Sequence, residues 1–161
     1  MSPEKQEALF NKYPDIFRER SWSPQETCMC WGLEMDGGWY DIIDSLCANL
    51  TLLKRYTGLE IVFRQTKQKL GTLRVYWRLD TFPVSATHEE QKIWWNIVEA
   101  LVGEAERCSA QTCEITGEYG ELCVSESGWY KTLCKEEAKK GGCITLDEYR
   151  KRREEAEKDK S

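Results

Sequence analysis

Two cysteine-centred pairs near the C-terminal end carry the spacing of a small zinc fold. Cys113-Glu-Ile-Thr116 has the knuckle spacing, and Cys134-Lys-Glu-Glu137 repeats it at the start of a helix. A tetrahedral zinc site needs four thiolate, imidazole or carboxylate ligands, and backbone turns aim each pair at one ion. Here Thr116 stands at the second ligand position and Glu137 at the fourth. No metal is therefore expected to be held. Were zinc bound, Cys113 and Cys134 would need Cys108 or Cys123 to complete the set, with Cys143 a further candidate. Cys28-Met-Cys30 is too closely spaced for a knuckle, and Cys47 reads as a small buried hydrophobe.

A second group could recognise an anion. Residues 54–78 hold seven basic side chains against Glu60 alone, in a chain of net charge −5. Strand alternation places Arg64 on the non-core face of one arm and Arg74, Tyr76 and Arg78 on that face of the other. Guanidinium forks grip phosphate bidentately and a tyrosine ring offers a stacking surface, which suits a nucleotide or a single nucleic-acid strand. A solvated face neutralised by acids elsewhere is the competing reading. Tyr40, Trp129 and Tyr130, from two Gly-Trp-Tyr elements, are candidate aromatic contacts to the same ligand, while Trp39 belongs to the core.

Catalytic constellations are poorly represented. The one histidine, His88, falls in a helix-capping position beside Glu89 and Glu90. No glycine-rich phosphate loop and no nucleophile elbow occurs. Asp36, Asp41 and Asp44 could together hold a divalent cation, but two of them occupy the outer face of a helix, where solvated charge is the default, and the Asn49-Leu-Thr51 sequon lies in a helix. The chain is not expected to be an enzyme.

The elements that must position these residues follow from periodicity. Ser2-Pro3-Glu4 starts a short helix, and residues 12–37 look irregular. Trp39, Ile42, Ile43, Leu46, Leu50 and Leu53 make one helical stripe, stopped at Gly58. Leu59, Ile61 and Phe63, then Leu73, Val75, Trp77 and Leu79, give the inward rows of a hairpin turning at Gly71. Val62 points outward in this scheme. Thr87-His-Glu-Glu90 is a capping box for a helix over about 88–107. Its core face is Ile93, Trp94, Ile97, Val98, Leu101 and Ala105, with Trp95 and Val102 on another side. Thr145-Leu-Asp-Glu148 caps a last, highly charged helix.

The expected fold is α+β: an antiparallel hairpin, with room for a third strand, packed with helices, plus a small zinc-knuckle-like module. The expected units are a core domain over 1–107, the degenerate module over 108–143 and a charged helix over 144–161. The 161 residues, with seven tryptophans and seven tyrosines, suffice for a core. No apolar run is long enough to span a membrane, and the polar start points to the cytoplasm.

Several of these segments resemble a family of small phage and prophage proteins of unassigned function. The resemblance rests on Met29-Cys-Trp-Gly-Leu, Asp36-Gly-Gly-Trp-Tyr-Asp-Ile-Ile-Asp-Ser-Leu, Gln68-Lys-Leu-Gly-Thr-Leu-Arg-Val-Tyr, Cys113-Glu-Ile-Thr-Gly and Gly128-Trp-Tyr-Lys-Thr-Leu-Cys, in order over most of residues 12–137. Members typically carry four ligands in the last segment, from which this chain departs at Thr116 and Glu137. The resemblance implies a phage accessory protein of the bacterial cytoplasm. With the basic aromatic face, it leads to the expectation of an anti-defence protein that sequesters a small anionic ligand, such as a nucleotide immune signal. The alternatives are a nucleic-acid-binding or transcription-related module of zinc-ribbon shape and an adaptor that engages a host protein through Trp95 and the charged tail. Self-association is left open.

Overall fold

In the computed structural model, residues 1–158 are described. Helix α1 (Pro3–Lys12) is capped by Ser2 with proline in its first turn. Residues 13–39 hold three short 3-10 turns and the two-residue strand β1 (Leu33–Glu34). Helix α2 (Tyr40–Thr57) ends on Gly58, whose left-handed backbone directs its N–H to the Lys54 carbonyl. Strands β2 (Glu60–Lys69) and β3 (Thr72–Thr81) form the hairpin. Helix α3 (His88–Ser109) starts on the Thr87–Glu90 capping box, with His88 as its first residue. The C-terminal part contains β4 (Glu121–Val124), β5 (Tyr130–Leu133), α4 (Lys135–Lys140), β6 (Ile144–Thr145) and α5 (Leu146–Lys158). Residues 159–161, the end of the charged helix expected from the sequence, lie outside the described residues. Among the described residues, no helix is long and apolar enough to cross a membrane.

Two three-stranded sheets give the α+β fold. The first has the order β1-β2-β3, with β1 parallel to β2 and β2 antiparallel to β3. The second has the order β5-β4-β6 and is antiparallel. Ile61, Phe63, Leu73 and Val75 join Trp39, Ile43, Leu46 and Leu50 of the α2 stripe in one large core, closed by Val98, Val102 and Ala105 of α3. A second, small core is made of Cys113, Cys123, Leu133 and Cys134, flanked by Ala138 and Cys143.

Two positions depart from the periodic pattern. Val62, outward by alternation, is fully buried, because the segment after α1 packs against β2 and the Phe63 N–H donates to the Ile16 carbonyl (2.9 Å). Ile93 and Ile97, inward by helical spacing, are 49% and 39% exposed. At 1.5 Å per residue, α3 is about 33 Å long, and its fully buried contacts begin only at Val98.

Candidate functional site

The hairpin turn fixes the site. Leu70 and Gly71 both have positive φ (53° and 83°), a tight reversal that glycine accepts without strain. A Cβ on Gly71 would sit 2.3 Å from Leu122 Cδ1, so the turn docks closely on β4. Thr132, fully buried on β5, donates its hydroxyl to the Gly71 carbonyl (2.6 Å), and Gln68 Nε2 donates to the Tyr130 carbonyl. The tip is thereby pinned to the C-terminal sheet, while the outer face of the strands divides into two halves.

The proximal half is closed. A bulge between Phe63 and Gln65 leaves Arg64 unpaired across the strands. Arg64 and Arg78 both turn onto Glu19, a fully buried carboxylate from the segment after α1. Arg78 Nη2 donates to Glu19 Oε1 (2.7 Å) and Arg64 Nη1 donates to the same oxygen (3.1 Å). Arg78 also pairs with Asp80, and Arg18 bridges Asp80 and Glu60. Lys54 links Glu60 (2.9 Å) to Asp15 (2.7 Å). Burial pushes the Asp80 carboxyl up, but hydrogen bonds from Arg78 and Arg18 outweigh it and hold the group below its ordinary value. An anion drawn to Arg64 or Arg78 would have to leave Glu19 buried without its counter-charges, which is strongly unfavourable.

The distal half is open. Gln65 faces Tyr76, Lys67 faces Arg74 and Lys69 faces Thr72 across the strands. Lys67 Nζ lies 5.6 Å from the Tyr76 ring centroid. Arg74 Nη1 donates to Thr72 Oγ1 and to the Leu73 carbonyl (both 2.8 Å) and lies 3.5 Å from Glu106 Oε2. Among the described residues, neither Lys67 nor Lys69 forms an ion pair. Tyr130 stands two residues before Thr132, on the sheet face that meets the turn. Arg74, Tyr76 and Tyr130 thus belong to the distal end and Arg64 with Arg78 to the proximal one. Trp129 is 72% exposed at the loop before β5. Tyr40 is set apart at the start of α2, packed on the main core under Lys5 (5.7 Å to its centroid).

The remaining singled-out segments meet at the seam between the two cores. Trp39, fully buried, donates its indole N–H to the Thr112 carbonyl (2.8 Å). Gly38 N–H donates to the Glu114 carbonyl (2.7 Å), and a Cβ on Gly38 would fall 2.2 Å from the Cys113 carbonyl oxygen. Glu114 is almost fully buried. Its Oε1 accepts from the Asp36 N–H (3.1 Å), and its Oε2 has no hydrogen-bond partner. Burial raises its carboxyl above the ordinary value, only partly opposed by that amide and by Lys131, which is bound to Asp36 (3.0 Å).

The knuckle keeps its shape. Burial pushes the Cys113 thiol up, yet hydrogen bonds from the Thr116 hydroxyl and from the Cys134, Thr116 and Ile115 amides outweigh it, leaving it below the ordinary thiol value. Thr116 Oγ1 lies 3.9 Å from Cys134 Sγ, spanning the two sulfurs the sequence pairs. Cys123 and Cys143 flank them, whereas Cys108 is exposed on α3 against Glu104 (3.5 Å) and takes no part. Glu137 is bonded to Lys140 (2.5 Å). Among the described residues, no three histidine, cysteine or acidic side chains are placed to hold a metal ion.

The residues that sequence reasoning missed are Glu19, Glu114, Lys67 and Lys69. Glu19 lies 45 and 59 residues from the arginines it binds, so no local pattern marks it. The lysines were legible as charge but not as part of this face, since strict alternation puts them on the row of Phe63 and the bulge at Arg64 turns them outward. Comparison with protein-family models, curated proteins and solved structures finds no match to this chain.

Proposed function

We propose that this protein is a non-catalytic binding protein that takes up a small anionic ligand with a planar base, of nucleotide type, on the distal half of the β2–β3 outer face. Lys67, Lys69 and Arg74 would meet phosphate, Tyr76 would stack on the base, and Tyr130 and Trp129 would close the side nearest the turn. The observation that carries this reading is the unpaired state of Lys67 and Lys69 beside Arg74 and Tyr76. Lys67 and Lys69, cations held next to an aromatic without a carboxylate of their own, suit a phosphate that arrives with a base attached, and Arg74 would share itself between that phosphate and Glu106. Arg64 and Arg78 serve instead as a clamp under the face. The resemblance to phage and prophage proteins sets the role: an accessory protein that withdraws a nucleotide signal from a host defence.

Calorimetric titration of the intact protein with a panel of linear and cyclic mono- and dinucleotides tests this. At least one member is expected to bind, and Lys67→Glu with Lys69→Glu is expected to abolish its heat while Arg64→Lys keeps it. A panel without heat would overturn the reading. Heat only with oligonucleotides, falling steeply with salt, would transfer it to a nucleic-acid-binding role.

A further inference from the structure

Strand β3 is the edge of its sheet, and α3 treats that edge in two ways. The Leu73 N–H donates to Ser109 Oγ (2.8 Å) and the Val75 N–H to Glu106 Oε1 (3.1 Å), so side chains of the helix cap the edge there. By strand alternation, the next outward amides are those of Trp77 and Leu79. Among the described residues, neither donates to a side chain. At the same level a cleft of ≈ 280 Å³ opens between β3 and α3, with Val75, Tyr76, Trp77, Trp95, Glu99 and Glu106 in its walls. The Trp77 and Trp95 rings lie 4.5 Å apart, tilted by 45°, and Trp95 is 47% exposed. Glu106 has both oxygens on β3, one at the Val75 N–H and one 3.5 Å from Arg74, while Glu99 has no hydrogen bond or ion pair among the described residues.

We propose that this cleft is a docking site for an extended segment of a partner protein, which adds to the β3 edge at Trp77–Leu79 and seats an arginine between Trp95 and Glu99. The three elements select that occupant together. Free strand amides call for a peptide backbone, since an added strand is the group that satisfies them in series. Exposed indole faces attract a guanidinium, which stacks on them while keeping its N–H groups for an acceptor. Glu99 supplies that acceptor, and the acidic rim disfavours the anionic ligand of the opposite face. The cleft borders the Lys67–Lys69–Arg74 site through Tyr76 and the Glu106–Arg74 pair, but its strand edge and Glu99 lie outside that site, so the two are tested by separate variants.

The test is a display selection of random heptapeptides on the intact protein, with the enriched peptides then titrated by tryptophan fluorescence. Enrichment of one arginine at a fixed position among β-branched residues is expected. Glu99→Lys should weaken binding at least tenfold, and replacing the peptide arginine by citrulline at least fivefold. Trp95→Ala should match the loss. Glu99, exposed on the helix, provides a second variant should Trp95→Ala unfold. Lys67→Glu with Lys69→Glu should leave peptide binding within twofold. Shifts in the Trp77 and Leu79 amide resonances on peptide addition would support the added strand. No enriched sequence, or peptides that bind Glu99→Lys and the parent protein within twofold of each other, would overturn the proposal.

Discussion

Along the outer face of one hairpin, Arg64 and Arg78 fold onto a fully buried carboxylate, whereas Lys67 and Lys69, a few positions further, meet no acid. The residues are alike in charge, but strict alternation would put Lys67 and Lys69 on the row of Phe63, and only the bulge at Arg64 brings all of them to one face. What separates them is the chain that comes back to cover them. The segment after α1 brings Glu19 over the proximal half and closes it, while the distal half is held only at its turn, by Thr132 and Gln68. Positive charge on a sheet face becomes a recognition surface only where the fold leaves it unneutralised.

The comparison can be broken most forcefully at Glu19. Glu19→Ala leaves two guanidinium groups facing a void, and a loss of about 3 kcal/mol in denaturant unfolding is expected. Lys67→Ala with Lys69→Ala should stay within about 0.5 kcal/mol of the parent protein. Equal losses would erase the distinction between the halves. Gly71→Ala comes next, at about 2 kcal/mol, because it combines a left-handed backbone with a Cβ in contact with Leu122. A neutral outcome would show that the distal end is not pinned.

Binding sharpens the contrast further. Lys67→Ala with Lys69→Ala should weaken the nucleotide ligand about tenfold, or about 1.4 kcal/mol, in calorimetry. Arg64→Lys should leave that affinity unchanged. The smallest effect concerns acid. Asp80 titrates below its ordinary value when folded, so the stability it adds is complete above an unfolded pKa of about 4 and is lost as pH falls through the lower folded value. Unfolding midpoints should therefore drop below about pH 4, and Asp80→Asn should flatten that drop. The distal lysines should leave the profile unmoved in this range.

Much of the scaffold was legible because it is periodic. The α2 stripe, the two strand rows, the Gly71 turn and the Thr87–Glu90 capping box each follow from spacings of a few residues. Cys47 reads as core and is core, its thiol driven up by burial. The errors fall in two places: Val62 is covered by an irregular segment without a pattern, and Ile93 and Ile97 stay exposed on the first turns of α3, where Trp94 packs on the core and Trp95 on Trp77. The candidate site was half legible. Arg74 and Tyr76 stand where alternation puts them, and Tyr130 meets the turn through a hydrogen bond between residues 62 apart. Glu114, Asp36 and Trp39 illustrate the rest, since each needs a partner whose position only the folded chain supplies.

The seam between the two cores also sets a clock for synthesis. Trp39 waits 73 residues for Thr112, and Asp36 waits 78 for Glu114 and 95 for Lys131. At roughly 5–20 residues per second, that is about 4–20 s of translation during which the Asp36 amide, the Asp36 carboxylate and the Trp39 indole lack these C-terminal partners. A nascent chain halted before residue 110 should be cleaved by protease around that turn, and one released after residue 134 should resist. The window is when a chaperone has most to protect in this protein: an indole and a glycine committed to a neighbour that the ribosome has not yet made.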